Sequence, residues 1–413
     1  MDSADSTPRR RSGKTIALLA AVCVLAAGGG TFAAVSAGSA HANVPSESAA
    51  PQRTTPGLAV PVVAPLQLLT TPTDGASQVN PAAPVILKAT NGKILRASLT
   101  SSDGKSVEGA VNAAGDTWTS SGALSFNTAY SANYVAKDGA GRESTITRSF
   151  STVSTANEAD AAMYPLDTMT VGVAQPIQLT FSEPVTNKAA VEKAIKITST
   201  SGQVGKFRWY SDTMVRYRPE TFWTAKSTIT VDIKLFGVSF GNGQVGNFNK
   251  TNTIHIGEKK VAVADAVAKT FTASINDKQV GKWSVTMGDE RFPSARGYLV
   301  LMDKQRKAHF VASSIGLKPG DPAYYGELDV QYATRLTPSG EFIHQATDSA
   351  LPYIGVTNLS HGCIGMGPSG AAWVFNNMGV GDVVKVVNTK GDFANYDDGY
   401  GDWNIAWASY AKR

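Results

Sequence analysis

Short runs of alternating apolar and polar residues, separated by turn sequences, fill most of this 413-residue chain. Runs such as PVILKAT at 84–90 and STITRSF at 144–150 place every second side chain on one face, as half-buried strands do. The turns between runs read SDG, AAGD and KDGAG. With 39 glycines, 19 prolines and only 17% charged residues, the composition favours many short strands over long charged helices. The chain is therefore predicted to be mainly β.

Two successive stretches carry this pattern, and each has the length of one β-sandwich. They span residues 67–154 and 155–257. In the second stretch, PIQLTFSEPV puts Ile177, Leu179 and Phe181 on one face of a strand. Many short strands over about one hundred residues are typical of immunoglobulin-like sandwiches, here without the Cys-Trp-Cys spacing of antibody domains. We therefore expect two Ig-like sandwiches.

A third β-rich block spans residues 258–387. Its segment RGYLVLMDKQRKAHFVASSIG predicts a hairpin that turns at LMDKQRKA. One helix is expected near the end of the block, with Pro368 in its first turn and Gly379 as its stop. The remaining residues, 388–413, contain two tryptophans and three tyrosines, a density that predicts packing on the preceding domain.

Residues 1–42 have the pattern of an export signal. Three arginines, Arg9–Arg11, precede the apolar run 15–27, and Ala40–Ala42 provides an A-x-A-like cleavage site. An uncleaved membrane anchor is the alternative, although three glycines interrupt the extension of the apolar run. Residues 43–66, rich in Pro, Ser and Ala, are predicted to form an extended linker. Both alternatives predict an extracytoplasmic protein in a cell-wall or periplasm-like space, secreted or membrane-anchored.

The charge pattern gives no reason to expect a nucleic-acid partner. The net charge of +5 is mild, and no basic run with interleaved aromatic residues follows the N-terminal arginines. A metal site is not expected either, because one cysteine and two histidines lack a fourth ligand at metal spacing. No cofactor is predicted. Two further histidines, His255 and His309, are interpreted as ordinary strand residues.

The segment SHGCIG at 360–365 contains the one cysteine that follows the N-terminal apolar run. Cys363 is either a small buried residue or a nucleophile, and the residue type alone leaves both open. His361 and His344 lie within 20 residues of it. A cysteine acyl-transfer site needs a base, a group that orients the base, and donors for an oxyanion. A neighbouring imidazolium would lower the pKa of the thiol, and Gly362 would let the backbone approach a reacting carbonyl.

The order of these residues resembles the L,D-transpeptidase family of cell-wall enzymes, which has a YkuD-type catalytic domain. His344 is followed by fifteen residues and then by Ser360–Ile364, the family's histidine and its Ser-His-Gly-Cys segment. The strand-turn-strand pattern at 332–344 and the opening segment at 291–316 also resemble this domain. The two sandwiches resemble the Ig-like spacers of actinobacterial members. The resemblance implies a mainly β fold, with two Ig-like sandwiches followed by a β-rich catalytic domain that has one or two short helices.

The resemblance also implies roles for individual residues. Cys363 matches the nucleophile, and His344 matches the general base, which the family orients through the backbone carbonyl of the next residue, here Gln345. His361 and Gly362 match positions in the nucleophile loop, where the N–H groups of Gly362 and Cys363 would form the oxyanion hole. Substrate contacts are implied for Ser339, Gly340, Gly365 and a flap tyrosine, either Tyr325 or its neighbour Tyr324.

Two positions depart from the family pattern. Gly365 stands where Asn or Arg is usual, so a side-chain contact to the donor peptide is missing. Gln345 stands where Ser is frequent, which matters less if only its carbonyl is used. The segment that follows the base also lacks the aromatic-Ser stretch often found there. The first departure places donor affinity or preference in question.

The activity implied by the resemblance is a peptidoglycan L,D-transpeptidase. Cys363 would attack the bond before the terminal D-alanine of a tetrapeptide stem, release D-alanine and form a thioester. The side-chain amine of a neighbouring stem would then complete a 3→3 cross-link, and carbapenem-type β-lactams would acylate the same thiol. Two alternatives stay open. One is an L,D-carboxypeptidase, in which water replaces the amine; the other is a non-catalytic cell-wall-binding protein on a decayed catalytic fold, an alternative that Gly365 keeps open.

Overall fold

The computed structural model describes residues 64–411. The predicted signal or anchor at 1–42 and the predicted linker, up to residue 63, lie outside this range. Strands dominate the described part of the chain, which confirms the predicted mainly β class. None of the helices in this range has the length and apolarity needed to span a membrane.

Nine strands build the first sandwich: β1 (Gln67–Thr71), β2 (Ala76–Val79), β3 (Ile86–Thr90), β4 (Gly92–Ser101), β5 (Ser106–Val107), β6 (Gly109–Val111), β7 (Thr117–Ser120), β8 (Ala129–Asp138) and β9 (Glu143–Thr152). They form two sheets of order β1-β3-β7-β6 and β2-β9-β8-β4-β5. Alternation along β8 buries Tyr130, Ala132 and Tyr134, which share a core with Leu87 and Leu99. This core belongs to the first sandwich alone.

The second sandwich has its own core and contains one short helix. Its elements are β10 (Glu158–Ala159), β11 (Ala161–Tyr164), β12 (Thr170–Val171), β13 (Ile177–Phe181), α1 (Lys188–Lys193), β14 (Ile195–Ser199), β15 (Gly205–Trp209), β16 (Met214–Pro219), β17 (Thr228–Lys234), β18 (Ser239–Gly241), β19 (Gln244–Gly246) and β20 (Asn249–Ile256). The main sheets are β11-β13-β16-β15 and β12-β20-β17-β14, beside a small β10-β19-β18 sheet. The predicted apolar face of β13 is confirmed, since Ile177, Leu179 and Phe181 are all buried. His255 lies on β20, as predicted for a strand residue.

A nine-stranded sheet organises the third block. Its elements are β21 (Lys260–Asp265), β22 (Thr270–Ile275), β23 (Lys278–Thr286), β24 (Gly297–Val300), β25 (Lys304–Val311), β26 (Glu327–Arg335), β27 (Phe342–Gln345), β28 (Ile364–Met366), α2 (Pro368–Asn377) and β29 (Val383–Val387). The strand order is β24-β29-β21-β22-β23-β28-β27-β26-β25. The helix α2 begins with Pro368 and ends just before Met378 and Gly379, as predicted, and it buries Ala371 and Val374 in the domain core.

The predicted hairpin at LMDKQRKA is wrong. Strand β24 pairs with β29, and β25 pairs with β26, so the two segments on either side of the turn are at opposite ends of the sheet order. Only Leu301, Met302 and Asp303 separate them in sequence, so the sheet must curve round until its ends are close. Hydrogen bonds tie these three residues to both ends of the sheet. The Leu301 N–H donates to the Asp382 carbonyl, and the Met302 N–H donates to the Arg335 carbonyl.

The C-terminal residues pack as their aromatic content predicts, and they contact the second sandwich as well as the nine-stranded sheet. The short helix α3 (Trp407–Tyr410) follows a 3₁₀ turn at Gly401–Asn404. The Trp403 indole donates to the Ala174 carbonyl at 2.7 Å, and Arg216 of β16 pairs with Asp402 at 2.8 Å. The extension therefore joins two domains that have separate cores.

Candidate active site

Cys363 lies in the last loop position before β28. The preceding Gly362 has a φ of 113°, in the left-handed region that favours glycine. A Cβ on Gly362 would also come within 3.0 Å of the Glu341 carboxylate. Glycine is therefore required here on two grounds, and the resulting turn presents Cys363 at the start of a central strand.

His344 lies on the neighbouring strand, β27. The two strands run parallel, and His344 is in register with Gly365, two residues beyond Cys363. The imidazole is 9% exposed, and its Nδ1 lies 2.7 Å from the Gln345 carbonyl. Because a carbonyl only accepts, Nδ1 carries the proton and Nε2 is left as the basic nitrogen. The Phe310 ring packs edge-on against the imidazole, with centroids 5.4 Å apart.

Both side chains line one cleft of about 830 Å³. One part of its wall is apolar and comes from the β25–β26 hairpin. Another part comes from the loop that connects β27 to β28. The cleft is also lined by Thr286, Tyr325, Ser339, Gly340, His361 and Gly365. The sequence-predicted residues thus converge on a single cavity large enough for a peptide segment.

The thiol and the imidazole are both neutral in this arrangement. Burial raises the pKa of Cys363 to about 12; the Phe342 backbone opposes this and the Glu341 charge adds to it. Burial also lowers the pKa of His344, although the Gln345 carbonyl offsets part of that effect. The expectation of a thiol pKa lowered by an imidazolium is therefore wrong for this structure, because desolvation disfavours both charged forms. The thiol instead donates to the Gly340 carbonyl, at 3.6 Å.

The backbone of the nucleophile loop is held by side-chain hydroxyls. Ser360 Oγ donates to the Cys363 carbonyl at 2.5 Å and accepts from the Gly362 N–H at 3.3 Å. The Gly362 N–H is thus occupied. Within residues 64–411, no acceptor takes the Cys363 N–H, which leaves it as the available oxyanion donor of the two that the family pattern implies.

His361 connects the segment Ala323–Tyr325, which forms the flap, to the nucleophile loop, Ser360–Cys363. Its Nε2 donates to the Ala323 carbonyl at 2.9 Å, and its ring lies between Phe292 and Tyr325, at centroid distances of 4.7 and 5.2 Å. Tyr325 lines the cleft, whereas Tyr324 is 37% exposed. This geometry gives His361 a structural contact and makes Tyr325 the flap tyrosine that faces the site.

Ser339 and Gly340 form the turn opposite the nucleophile. Asp398, from the C-terminal extension, accepts the Ser339 N–H at 2.8 Å and also the Ser339 hydroxyl. The next residue, Gly340, has a φ of 118° and offers its carbonyl to the thiol. The Ser339 hydroxyl is therefore already engaged, and the extension shapes the wall of the cleft.

Gly365 lies on β28 between two strands, and its missing side chain has a steric reason. A Cβ here would come 2.9 Å from the Thr286 methyl and 3.5 Å from Ala346. The Thr286 hydroxyl is locked, since it donates to the Thr357 carbonyl at 2.9 Å and accepts from the Leu359 N–H at 3.0 Å. Thr286 therefore occupies the space that a larger residue at position 365, such as Asn or Arg, would need.

Four residues near the site were missed by sequence reasoning: Thr286, Ser294, Glu341 and Asp398. Three of them are distant from Cys363 in sequence, and no local pattern marks them. Glu341 could have been noticed as a single acid beside the apolar strand FIH. Its carboxylate accepts the Ala295 N–H at 2.8 Å, and burial raises its pKa to about 7 against that hydrogen bond, with a further increase from the Asp398 charge. No metal-binding cluster of His, Cys, Asp or Glu occurs in the described range.

Two family matches agree with this architecture. Residues 76–239 match a bacterial Ig domain, and residues 259–386 match the L,D-transpeptidase catalytic domain. The second match contains the nine-stranded sheet and the cleft.

Similar proteins share most of the chain. It is 34% identical over 335 residues to L,D-transpeptidase 2 of Mycobacterium tuberculosis, with 81% of each chain covered. It is 27% identical over 348 residues to L,D-transpeptidase 5 of the same species, covering 83% of this chain and 75% of the other. A crystal structure of L,D-transpeptidase 3 from M. tuberculosis, in complex with a faropenem-derived adduct, matches 55% of this chain and 96% of that one at 32% identity and a TM-score of 0.46. The resemblance is confirmed, and the chain belongs to the L,D-transpeptidase family.

Proposed function

We propose that this protein forms 3→3 cross-links in peptidoglycan through a thioester on Cys363. The observation that carries the proposal is the shared cleft: His344, whose tautomer is fixed by the Gln345 carbonyl, lies on β27, and Cys363 directly precedes the adjacent parallel strand β28. A nucleophile, an oriented base and a free backbone N–H are the groups that acyl transfer requires. Family membership supplies the substrate class.

In the first half-reaction, the Cys363 sulfur attacks the carbonyl that precedes the terminal D-alanine of a donor tetrapeptide. The thiol proton passes to His344 Nε2 as the carbon–sulfur bond forms. The carbonyl oxygen becomes an oxyanion and is stabilised by the Cys363 N–H. The carbon–nitrogen bond then breaks, the proton moves from Nε2 to the departing amine, and D-alanine leaves a thioester behind.

In the second half-reaction, the side-chain amine of a neighbouring stem attacks the thioester. His344 Nε2 accepts a proton from this amine, the carbon–sulfur bond breaks, and the proton returns to sulfur. Because burial disfavours the charged forms of both the thiol and the imidazole, proton transfer accompanies each attack instead of preceding it.

The same site would accept β-lactams of the carbapenem type. Their strained carbonyl can be attacked as the donor carbonyl is, with the ring nitrogen as leaving group and no fragment released. The product is a thioester that stays on the Cys363 sulfur. We also infer that the protein acts outside the cytoplasm, because its N-terminal residues have an export pattern and its substrate is a wall polymer.

The test is intact-mass spectrometry of the full-length protein incubated with imipenem, beside Cys363→Ala. One adduct on the wild type and none on the variant is the expected result. A folded wild-type protein that takes up no imipenem would support the decayed-fold alternative.

Cross-linking and trimming are then separated with a tetrapeptide stem. With an acceptor stem present, a transpeptidase yields D-alanine and a dimer that contains a 3→3 bond. A carboxypeptidase yields D-alanine and a tripeptide stem whether or not the acceptor is added. Quantifying both products by liquid chromatography decides between the two activities.

A further inference from the structure

One serine outside the sequence-predicted site contacts the backbone of the nucleophile loop. Ser294 lies in the segment between β23 and β24 and is 1% exposed. Its hydroxyl donates to the Gly362 carbonyl at 2.6 Å and accepts from the Gly288 N–H at 3.0 Å. Both hydrogen-bonding directions of this hydroxyl are therefore fixed, and Ser294 has one rotamer that satisfies them.

The carbonyl that Ser294 holds belongs to the peptide bond between Gly362 and Cys363. In a trans peptide the C=O and the following N–H point in opposite directions within one plane. Holding the Gly362 carbonyl against the Ser294 hydroxyl therefore directs the Cys363 N–H to the other side of the loop. That N–H has no acceptor in the described part of the chain, and Cys363 lines the cleft.

The Gly362 residue depends on this restraint more than an ordinary residue would. Glycine at a φ of 113° has no Cβ to limit rotation of its peptide planes. Its own N–H is held only at 3.3 Å by Ser360. Without the bond from Ser294, the plane between Gly362 and Cys363 could rotate and turn the Cys363 N–H away from the cleft.

The segment that carries Ser294 is itself fixed on several sides. The Ala295 N–H donates to the Glu341 carboxylate at 2.8 Å, and the Ser294 carbonyl accepts from Thr389 Oγ1 at 2.8 Å. The Asp289 N–H donates to the Ser360 carbonyl at 3.0 Å. These bonds hold Ser294 between the strand of the base and the loop of the nucleophile.

We propose that Ser294 is a positioning residue that aims the Cys363 N–H at the developing oxyanion. It touches no substrate and acts through the peptide plane of Gly362 and Cys363. The inference rests on the proposed acyl transfer, since an oxyanion forms only in that chemistry.

The test compares two reactions of the same thiol in the full-length protein. Acylation by imipenem passes through an oxyanion, whereas alkylation by iodoacetamide is a displacement at saturated carbon and needs none. In Ser294→Ala, the acylation rate constant is expected to fall about 10–100-fold, less than the 10²–10³ lost when a direct donor is removed. The alkylation rate constant is expected to change less than about threefold, since loss of the donor leaves the thiol and its base in place.

Two further variants separate positioning from folding. Ser294→Thr retains the hydroxyl and is expected to recover most of the acylation rate. Ser227→Ala is the matched control, because Ser227 is 5% exposed and donates to the Thr224 carbonyl at 2.7 Å, but lies in the second sandwich. It is expected to leave both reactions unchanged.

The outcomes distinguish this inference from the proposed function. Equal acylation by wild type and Ser294→Ala overturns the positioning role while leaving acyl transfer intact. A parallel loss of acylation and alkylation shows a collapsed loop and overturns it as well. No imipenem adduct on the wild type overturns the proposed function and the inference together.

Discussion

The junction of the second sandwich with the C-terminal extension and the cleft that contains Cys363 both bury ionisable groups, but within residues 64–411 only the junction contains a buried ion pair. Arg216 and Asp402 are 6% and 0% exposed and lie 2.8 Å apart. The hydroxyls of Tyr210 and Tyr410 donate to the other oxygen of the same carboxylate, at 2.5 and 2.8 Å. Arg216 and Asp402 thus meet an opposite charge as well as hydroxyl donors, so this pair can stay charged away from water.

The cleft follows the opposite arrangement. Cys363 donates to the Gly340 carbonyl at 3.6 Å, and His344 Nε2 has no hydrogen-bond partner within residues 64–411. Burial without an ionic partner keeps the thiol pKa high and the imidazole pKa low, so neither group carries charge at rest. The comparison links paired burial to the contact between domains and unpaired burial to the cleft, where, on the proposed function, a substrate supplies the missing partner.

The largest effect is expected when the unpaired base is removed. His344→Gln should lower the rate of imipenem acylation by about 10²–10⁴-fold, the usual range for a general base. The Gln side chain can fill much of the same space, so the thermal unfolding midpoint should change little. Stopped-flow acylation and a thermal melt of the same preparation measure the two quantities.

His361→Gln is the matched variant for that comparison. His361 bonds to the Ala323 carbonyl, and the proposed function does not use it as the base, so its replacement should cost less than His344→Gln. An equal or larger loss in His361→Gln would mean that the roles of the two histidines are exchanged.

Breaking the paired charge should give the largest loss of stability. Asp402→Ala leaves Arg216 buried and unpaired, and such a change typically costs about 3–5 kcal/mol. Urea unfolding of the full-length protein measures this loss, and tryptophan fluorescence is a suitable signal because Trp403 contacts this region. Imipenem acylation of the remaining folded protein should be much less affected.

The exposed pair formed by Lys390 and Glu290 is the control for the junction. Its side chains are 75% and 84% exposed, and ion pairs in water add little. Glu290→Ala should therefore leave the urea midpoint nearly unchanged. A loss as large as that of Asp402→Ala would show that burial is not the cause of the difference.

The sequence predicted the proximity of His344 and Cys363 better than it predicted the residues around them. The spacing of His344 and Cys363 follows a resemblance, and the structure places His344 on β27 and Cys363 immediately before β28, one connection apart. Ser294 bonds to Gly362 across 68 residues of chain, which no local pattern encodes. The pairing of β24 with β29 is likewise long-range, and for that reason the local turn signal at LMDKQRKA predicted a wrong hairpin.

The protonation states were unpredictable for a related reason. The pattern of a cysteine near a histidine suggests an ion pair, but a pKa depends on how much water each group loses on folding. That loss is set by the whole cleft, including Phe310 and the flap, and not by the residues next to Cys363 in sequence. The glycine at position 365 was unpredictable for the same reason, because Thr286, whose methyl limits the space there, lies on a different strand.

A smaller effect is expected from restoring a side chain at the floor of the cleft. Gly365→Asn would force its Cβ to within 2.9 Å of the Thr286 methyl, and overpacking of this kind costs about 1–3 kcal/mol. Thr286→Ser removes that methyl and keeps the hydroxyl that bonds Thr357 and Leu359. The double variant should therefore be more stable in urea than Gly365→Asn alone. If the stability losses of the two single variants simply add in the double variant, the side chains at positions 365 and 286 do not compete for the same space.

A gain in stability that depends on pH is expected from neutralising Glu341. Its pKa is about 7 in the folded protein against an ordinary value of 4.5, so its protonated form is favoured by folding and its ionised form is not. Stability linked to this group is present below pH 4.5 and is lost as the pH rises through about 7. Glu341→Gln should nearly match the wild type at pH 4.5 and exceed it at pH 8 by up to about 3 kcal/mol, the free energy that corresponds to a pKa raised from 4.5 to about 7.

The reactivity of the thiol should follow the same charge. Ionised Glu341 contributes to the raised pKa of Cys363, so Glu341→Gln should increase iodoacetamide alkylation at pH 8 by about two- to fivefold, equivalent to less than one pKa unit. The amide of Gln can still accept the Ala295 N–H, which keeps the segment around Ser294 in place. Parallel stability–pH curves for the two proteins, together with equal alkylation rates, would mean that this carboxylate is solvated like an ordinary surface group. In that case the contrast between the cleft and the junction would rest on Cys363 and His344 alone.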